Sequence, residues 1–178
     1  IRDSIRNDSV IPAGDITELD TFDMLPFSNF LALVKDITPA EFKVIMENSV
    51  ARVEDVSGRF AQIAGFTFTY DPTATAQVTE DGVVTTPGTR IIDIELENGT
   101  MLVENGVVNN AADNITVVTT NFTANGGDQF IFGDSEPEIL PISYQGALVQ
   151  YIVNVLGGTI SANDYPEGGE GRITEVTP

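Results

Sequence analysis

The chain has 178 residues, enough for one domain with a sizeable core, and its 42% hydrophobic and 20% charged residues are ordinary for a globular protein. The charge balance is unusual, because 27 acidic residues stand against 8 basic ones and give a net charge of −19. Such a surface repels nucleic-acid backbones and anionic membranes, so we expect neither a nucleic-acid duplex nor a membrane surface as a main partner.

The sequence contains no cysteine and no histidine. Disulfides, Cys-ligated zinc, His-ligated metals, a histidine general base and a Ser-His triad are therefore impossible within this chain. No apolar run reaches the length of a membrane span, so we predict no membrane insertion. Acidic pairs such as Asp20 with Asp23 lie in polar stretches and are interpreted as solvated surface rather than as acid–base catalysts.

The first strong structural signal is a helix start. Thr38 is a good N-cap, Pro39 suits the first helical position, and Glu41 completes a capping box. Five residues then share one face at helical spacing, and we predict that this face is buried: Phe42, Ile45, Met46, Ser49 and Val50.

Strands and a second helix complete the predicted elements. Runs of β-branched and aromatic residues predict strands at residues 30–35, 66–70, 90–96, 101–103 and 115–120. Residues 97–100 read as a hairpin turn, and the polar residues 73–88 as an exposed loop or hairpin insertion. A helix over residues 144–156 should end at Gly157 and Gly158 and point four side chains inward: Leu148, Ile152, Val155 and Leu156. The predicted fold class is α+β, a mixed β-sheet packed with helices.

Residues 121–130 carry the clearest chemical signal. They follow the strand at 115–120 and turn through Gly126 and Gly127, where the backbone can take positive φ at no steric cost. Phe122 and Phe130 flank the turn, and Asp128 lies inside it. Aromatic faces beside a polar loop suit a flat polar ligand, whereas the alternative is a tight turn with two core phenylalanines.

Seven segments, read in order, resemble the C-terminal domain of the 5′-nucleotidase family, and together they span nearly the whole chain. They are Ile1-Arg2-Asp3-Ser4-Ile5, Gly14-Asp15-Ile16-Thr17, Leu25-Pro26-Phe27-Ser28-Asn29, Ser57-Gly58-Arg59-Phe60-Ala61-Gln62-Ile63-Ala64-Gly65, Phe68-Thr69-Tyr70-Asp71-Pro72, residues 121–130 and Gly171-Arg172-Ile173. The resemblance implies one substrate-binding domain over residues 1–178. Since the first motif normally continues to its left, we expect the sequence to be part of a longer protein.

The resemblance also implies roles for individual residues. Phe27 and Phe122 match the two rings that clamp a nucleobase, and such stacking contributes roughly 1–3 kcal/mol per base. Asp128 matches the acceptor for the ribose hydroxyls, and Arg2 matches an arginine that contacts the ribose or adjacent oxygens. Core packing for Phe27 and a local Asx turn for Asp128 are the alternatives.

Two further positions match the family less specifically. Asn29 matches a residue that can reach the base edge, and Gly58 a glycine whose backbone approaches the ligand. Gly126 and Gly127 are expected to shape the loop. Gln129 stands where the family usually has glycine, which leaves the base preference open.

Two nearby phenylalanines match no motif of the family. Phe22 and Phe30 are therefore predicted to be core residues.

By resemblance, an N-terminal metallophosphoesterase domain, covalently linked and outside this sequence, holds two divalent metal ions and performs hydrolysis. This chain would need no cofactor of its own, would bind a nucleoside or nucleotide, with adenosine or AMP favoured, and would be inactive alone. An extracellular, cell-surface or periplasmic location is expected.

Alternatives within the family are a 2′,3′-cyclic nucleotide, a UDP-sugar or the sulfur substrate of the thiosulfohydrolase relatives. An alternative of another class is a non-catalytic module of a large extracellular nuclease or surface protein.

Overall fold

The structure is a computed structural model that describes residues 14–55, 57–166 and 168–176. Arg2 lies outside the described residues. The elements, in chain order, are α1 (Glu18–Met24), β1 (Phe30–Ile37), α2 (Pro39–Ser49), β2 (Phe66–Tyr70), β3 (Val78–Glu80), β4 (Val83–Thr86), β5 (Ile91–Leu96), β6 (Met101–Glu104), β7 (Val107–Val108), β8 (Ile115–Thr120), α3 (Asn121–Ala124), a 3-10 turn (Gly127–Gln129), β9 (Glu138–Ser143), α4 (Tyr144–Gln150), a π-helical turn (Tyr151–Val155) and β10 (Ile173–Glu175).

Two main sheets organise these elements. The first is a three-stranded antiparallel sheet in the order β8-β1-β9, and the second has five strands in the order β10-β2-β5-β6-β7. All pairs in the second sheet are antiparallel except β10 with β2. A separate hairpin joins β3 and β4. The mixture of helices and mainly antiparallel sheets confirms the predicted α+β class.

One hydrophobic core lies between the two sheets and α2. Buried and more accessible side chains alternate along part of β1 and β2, which is the period expected of a sheet with one face packed, whereas β6 buries two successive residues. The buried members of this core include Ala32, Val34 and Ile37 of β1, Phe42, Ile45 and Met46 of α2, Phe68 and Tyr70 of β2, Ile91 and Ile94 of β5, and Leu102 and Val103 of β6.

Helix α2 begins as its sequence predicts. The Thr38 hydroxyl accepts from the Glu41 backbone N–H, and the Glu41 carboxylate accepts from the Thr38 backbone N–H, so both halves of the capping box are present. Near its end, the buried Glu47 carboxylate accepts from the backbone N–H groups of Arg90 (3.0 Å) and Ile91 (3.1 Å). These bonds fix α2 to the start of β5.

The strand predictions are confirmed. Strands lie at all five predicted places, with ends within two residues of those expected. Residues 97–100 connect β5 to β6 as a hairpin, and residues 73–88 contain the β3–β4 hairpin. That insertion is not wholly exposed, because the buried Gln77 side chain donates to the Val44 carbonyl of α2 at 3.2 Å.

Three predictions of buried residues are wrong. Phe22 and Phe30 are 50% and 44% exposed, since α1 buries only Thr21 and Phe30 stands at the first position of its strand. Val155 is 66% exposed. The helix after Tyr144 widens into a π-helical turn, whose i→i+5 bonding shifts the face that later residues occupy. The predicted ending at Gly157 and Gly158 is confirmed by positive φ at both.

The described part of the chain contains no helix that is both long and apolar enough to cross a membrane.

Candidate functional site

The pairing of β1 brings three separate pieces of the chain to one end of the first sheet. β1 starts beside the end of β8, through the pair Leu31–Thr120, and beside the end of β9, through the pair Phe30–Ser143. The segment before β1, the turn after β8 and the start of α4 therefore meet at that end. We call this place the strand-end surface, formed by residues 27–29, 121–130 and Tyr144.

Hydrogen bonds between side chains and backbone hold the strand-end surface together. The Tyr144 hydroxyl accepts from the Phe27 backbone N–H at 2.9 Å, and the Tyr144 backbone N–H donates to the Asn29 carbonyl at 3.0 Å. The Asn121 carbonyl Oδ1 accepts from the Phe30 backbone N–H at 2.8 Å. The segment that carries Phe27 is thus fixed to both neighbouring pieces.

The two candidate stacking rings are accessible. Phe27 is 56% exposed and Phe122 is 50% exposed. Within the described residues, neither ring is in an aromatic contact with another ring. Packing in the hydrophobic core therefore does not explain the position of either side chain. Both rings are accessible to a flat ligand.

Gly127 lies directly against the Phe122 ring. A Cβ added at Gly127 would stand 2.5 Å from Phe122 Cε1 and 2.6 Å from its Cδ1. Real Cβ atoms do not approach other atoms that closely, so this contact requires glycine. The glycine thereby sets where the Phe122 ring can lie.

The loop after Gly127 has a strained backbone. Asp128 and Gln129 have φ of 52° and 62°, a left-handed conformation that costs roughly 1–2 kcal/mol for a residue other than glycine. Gly126 also has positive φ, at 89°, where no such cost applies. Strain of this kind concentrates at ligand-binding sites and persists only where the surrounding structure holds it.

The Asp128 side chain is exposed and, among the described residues, accepts no hydrogen bond and makes no ion pair. The Asx-turn alternative, in which the carboxylate would satisfy its own backbone, is therefore absent. The Asp128 backbone is held instead, because its carbonyl accepts from Asn48 Nδ2 at 3.1 Å. Among the described residues, no donor therefore occupies the Asp128 carboxylate oxygens.

Gly58 belongs to a segment attached to the same end of α2. The Ser49 hydroxyl accepts from the Ala61 backbone N–H at 3.2 Å, and Ser57 Oγ accepts from the Arg59 backbone N–H at 3.3 Å. Asn48 and Ser49, adjacent in sequence, therefore each hold a different loop that carries predicted site residues.

The sequence interpretation did not single out Asn48, Asn121 or Tyr144. Their roles depend on partners 80, 91 and 117 residues away, which no local pattern reveals. For Asn48 one signal was available, since a polar amide directly precedes Ser49 and Val50, which the sequence places on the buried face of α2.

Two cavities in the described part of the chain lie away from the candidate site. A cavity of about 590 Å³ lies between the start of α1 and the helix after Tyr144, lined among others by Ile16, Thr21 and Ile152. Another, of about 330 Å³, lies beside Phe60 and the segment 168–173. None of the predicted site residues lines either cavity.

The described residues also contain no group of three or more acidic side chains placed to hold a metal ion.

Comparison with known proteins identifies relatives over nearly the whole sequence. Residues 2–134 match the family described as the 5′-nucleotidase C-terminal domain. The trifunctional nucleotide phosphoesterase protein YfkN of Bacillus subtilis is 31% identical over 171 residues, which cover 93% of this chain and 10% of that protein. The chain thus spans about a tenth of the curated relative that it matches.

Solved structures share the fold. The 5′-nucleotidase precursor of Thermus thermophilus superposes with a TM-score of 0.71 at 26% identity, over 94% of this chain and 29% of that one. The NAD nucleotidase of Haemophilus influenzae gives 0.60 at 17% identity, over 91% and 27% of the two chains. A putative 5′-nucleotidase of Staphylococcus aureus gives 0.51 at 18% identity, over 78% and 27%.

Proposed function

Because the chain belongs to the 5′-nucleotidase C-terminal domain family, we propose that it is the nucleoside-binding part of a 5′-nucleotidase-type phosphoric ester hydrolase. The base lies between Phe27 and Phe122, and the ribose hydroxyls donate to Asp128. The observation that carries this proposal is the strand-end surface. Two half-exposed rings lie there on a backbone fixed by hydrogen bonds, and among the described residues neither ring has a ring partner and the Asp128 carboxylate has no hydrogen-bond partner.

The chemistry of these groups fits a ribonucleoside. Every base has a π-face, so a pair of rings binds a base with little regard to which base it is. A carboxylate has lone pairs for two neighbouring hydroxyls, which a ribose offers and a 2′-deoxyribose does not. In the proposed site, stacking therefore supplies affinity for the base, and Asp128 supplies the preference for ribose over 2′-deoxyribose.

The remaining predicted residues have supporting roles in this proposal. Asn29 reaches the edge of the base, Gly58 lets the backbone approach the ligand, and Gly126 and Gly127 shape the loop. Arg2, outside the described residues, contacts the ribose or adjacent oxygens. Adenosine and AMP are the favoured ligands.

The hydrolytic chemistry belongs to another part of the enzyme in this proposal. A covalently linked N-terminal metallophosphoesterase domain holds two divalent metal ions and cleaves the ester, while the present chain binds the nucleoside and is inactive alone. The relatives YfkN and the Thermus thermophilus enzyme are named as a nucleotide phosphoesterase and a 5′-nucleotidase.

An extracellular, cell-surface or periplasmic location is part of the same proposal. The Thermus thermophilus relative is described as a precursor, which suits an exported enzyme. The excess of acidic residues suits a protein that works in salty water, where charge repulsion is screened.

The test is a binding titration of the full-length protein, and of this chain, with adenosine, uridine and 2′-deoxyadenosine. Calorimetry measures the affinity, and thermal unfolding measures the stabilisation by the ligand. Ligand at 100 times its dissociation constant should stabilise the fold by about 2.7 kcal/mol. Phe122→Ala should weaken all three nucleosides, whereas Asp128→Ala should weaken the two ribonucleosides more than 2′-deoxyadenosine, which offers the carboxylate only its 3′-hydroxyl.

The chain offers matched controls. Phe22 is exposed to the same degree as Phe122 and Asp23 is an exposed acid, and both lie on α1, outside the strand-end surface. Phe22→Ala and Asp23→Asn should bind nucleosides like wild type. Failure of the full-length protein to bind any nucleoside, or equal affinities for wild type and both site variants, would contradict the proposal.

A further inference from the structure

We propose that Asn48 is a positioning residue for the Asp128 carboxylate, and that it sets the preference of the site for ribose over deoxyribose. The inference rests on the function proposed above. Asn48 does not reach the ligand surface itself; it acts through the backbone of the Asp128 loop.

The geometry points to Asn48 because its side chain links the core to the loop. Its side chain is nearly inaccessible, with 1% of the residue exposed, and it lies on α2, whose start and end are both fixed. From there Nδ2 donates to the Asp128 carbonyl, 80 residues away in sequence, at 3.1 Å. In the described part of the chain this is the one side-chain hydrogen bond that reaches the segment 126–130 from another element.

The bond acts at the strained part of the loop. Asp128 and Gln129 both hold left-handed φ, and neither is glycine. A single carbonyl held towards the core keeps the Asp128 peptide from rotating, and its side chain consequently stays on the solvent side. Without that bond the segment can relax to an ordinary conformation, which would turn the carboxylate away from the ribose.

The other half of the Asn48 amide indicates that core stability does not explain the residue. Its Oδ1 is buried and has no hydrogen-bond partner in the described structure. A buried acceptor without a partner costs free energy, and an apolar side chain of similar size would avoid that cost. The structure thus keeps an asparagine here at a cost that the bond to Asp128 explains.

The residues on either side of Asn48 in α2 also form hydrogen bonds to backbone groups of other segments. Glu47 holds the start of β5, and Ser49 holds the segment that contains Gly58 through the Ala61 backbone N–H. Ser49 is as deeply buried as Asn48 and also makes a hydrogen bond to a distant backbone group. Ser49→Ala is therefore a matched control that loses a bond of the same kind at a different loop.

The experiment measures the ratio of the dissociation constants for 2′-deoxyadenosine and adenosine by calorimetry. It compares the full-length wild type, Asn48→Leu, Ser49→Ala and Asp128→Ala. A hydrogen bond to a charged group corresponds to a ratio of roughly tenfold or more in wild type. Asn48→Leu should bring the ratio close to one, as Asp128→Ala does, because the affinity for adenosine falls more than the affinity for 2′-deoxyadenosine, which has only the 3′-hydroxyl to lose as a donor. Ser49→Ala should keep the wild-type ratio. Asn48→Ala serves if the leucine variant does not fold.

Hydrogen exchange of the amides of residues 126–130, without ligand, gives a second readout. Asn48→Leu should speed exchange there, and Ser49→Ala should not. A wild-type ratio in a folded Asn48 variant, or a ratio near one in Ser49→Ala, would overturn the inference. If wild type itself shows no preference for ribose, the proposed function fails, and the exchange data then decide the role of Asn48: unchanged exchange in Asn48→Leu overturns it, and faster exchange confined to that variant supports it.

Discussion

Aromatic side chains occupy two regions of this molecule in opposite ways. In the core, Phe42 and Phe66 meet edge to face with ring centroids 5.1 Å apart, and Phe68 lies 5.9 Å from Tyr70. On the strand-end surface, Phe27 and Phe122 are half exposed and have no ring partner among the described residues. The core rings lie within a strand or on the inner face of α2, whereas the surface rings lie just beyond strand ends, where the backbone has left the sheet.

The difference shows what position along an element does to a phenylalanine. Inside β2, alternation places Phe68 and Tyr70 on the packed face, so their burial follows from the pleat. Beyond the strand ends no such periodicity acts, and the orientation of Phe27 or Phe122 depends on hydrogen bonds from Tyr144 and on contact with Gly127. The core rings stabilise the fold, and the surface rings are available to a ligand.

The largest expected effect is a difference in stability between two variants, each of which truncates one aromatic ring, in the core or on the strand-end surface. Phe68→Ala removes a buried side chain from the centre of β2 and should lower the free energy of unfolding by roughly 3–5 kcal/mol. Phe122→Ala, which removes a half-exposed ring, should cost less than about 1 kcal/mol. Urea unfolding of the two variants measures both values, and similar losses would show that the two regions do not differ in the way proposed.

Gly127→Ala tests whether the Phe122 ring position matters. The new Cβ would overlap the ring, so the ring must move, while the fold should remain intact because the ring edge is at the surface. If stacking is lost in part, nucleoside affinity should fall roughly tenfold, within the range of one base–aromatic contact. Calorimetry with adenosine measures the change.

A double-mutant comparison supplies the control for Gly127→Ala. In the Phe122→Ala background, the alanine at position 127 has no ring to displace and should have no further effect on affinity. An equal loss in both backgrounds would mean that the substitution acts on the loop backbone and not on the ring.

Gln129→Gly should stabilise the protein slightly, by roughly 0.5–1 kcal/mol. Glutamine holds φ of 62°, where glycine is unstrained, although glycine also gains freedom in the unfolded chain and offsets part of the benefit. Chemical denaturation checks the change. Asn105→Gly is the matched control at φ of 50°, with a smaller expected gain because asparagine tolerates this conformation better. Destabilisation by Gln129→Gly would indicate that the glutamine side chain makes a favourable contribution of its own.

How far the sequence predicts the fold depends on whether the signal is local. The capping box and Pro39 located α2 because all its signals lie within four residues. β9 was missed because Pro141 argues against a strand, and it is accommodated here because β9 is an edge strand of its sheet. Val155 was placed wrongly because a π-helical turn has no periodic signature in the sequence.

The candidate site follows the same rule. The residues that the family motifs point to could be named in advance, and the structure brings Phe27, Asn29 and Phe122 to one end of a sheet. Asn48 and Tyr144 could not be named, since their function arises from bonds across 80 and 117 residues. The left-handed φ of Gln129 was also hidden, because glutamine is not a residue type that indicates it.

α1 was not predicted from the sequence either, although it begins with a capping box. Removing that cap has the smallest expected effect on stability among the changes proposed. The Asp20 carboxylate accepts from the Thr17 hydroxyl (2.7 Å) and the Thr17 backbone N–H (2.6 Å), and these bonds lower the pKa of Asp20 below its ordinary value of 3.8. A carboxyl whose pKa is lower in the folded state stabilises the fold above its unfolded-state pKa, and this contribution is lost as the pH falls through the folded-state value. Asp20→Asn should therefore lower the melting temperature slightly at neutral pH, and the difference from wild type should vanish in strong acid. Asp23→Asn makes the same charge change on α1 without a cap, and a melting-temperature loss equal to that of Asp20→Asn would show that net charge, and not the capping box, is responsible.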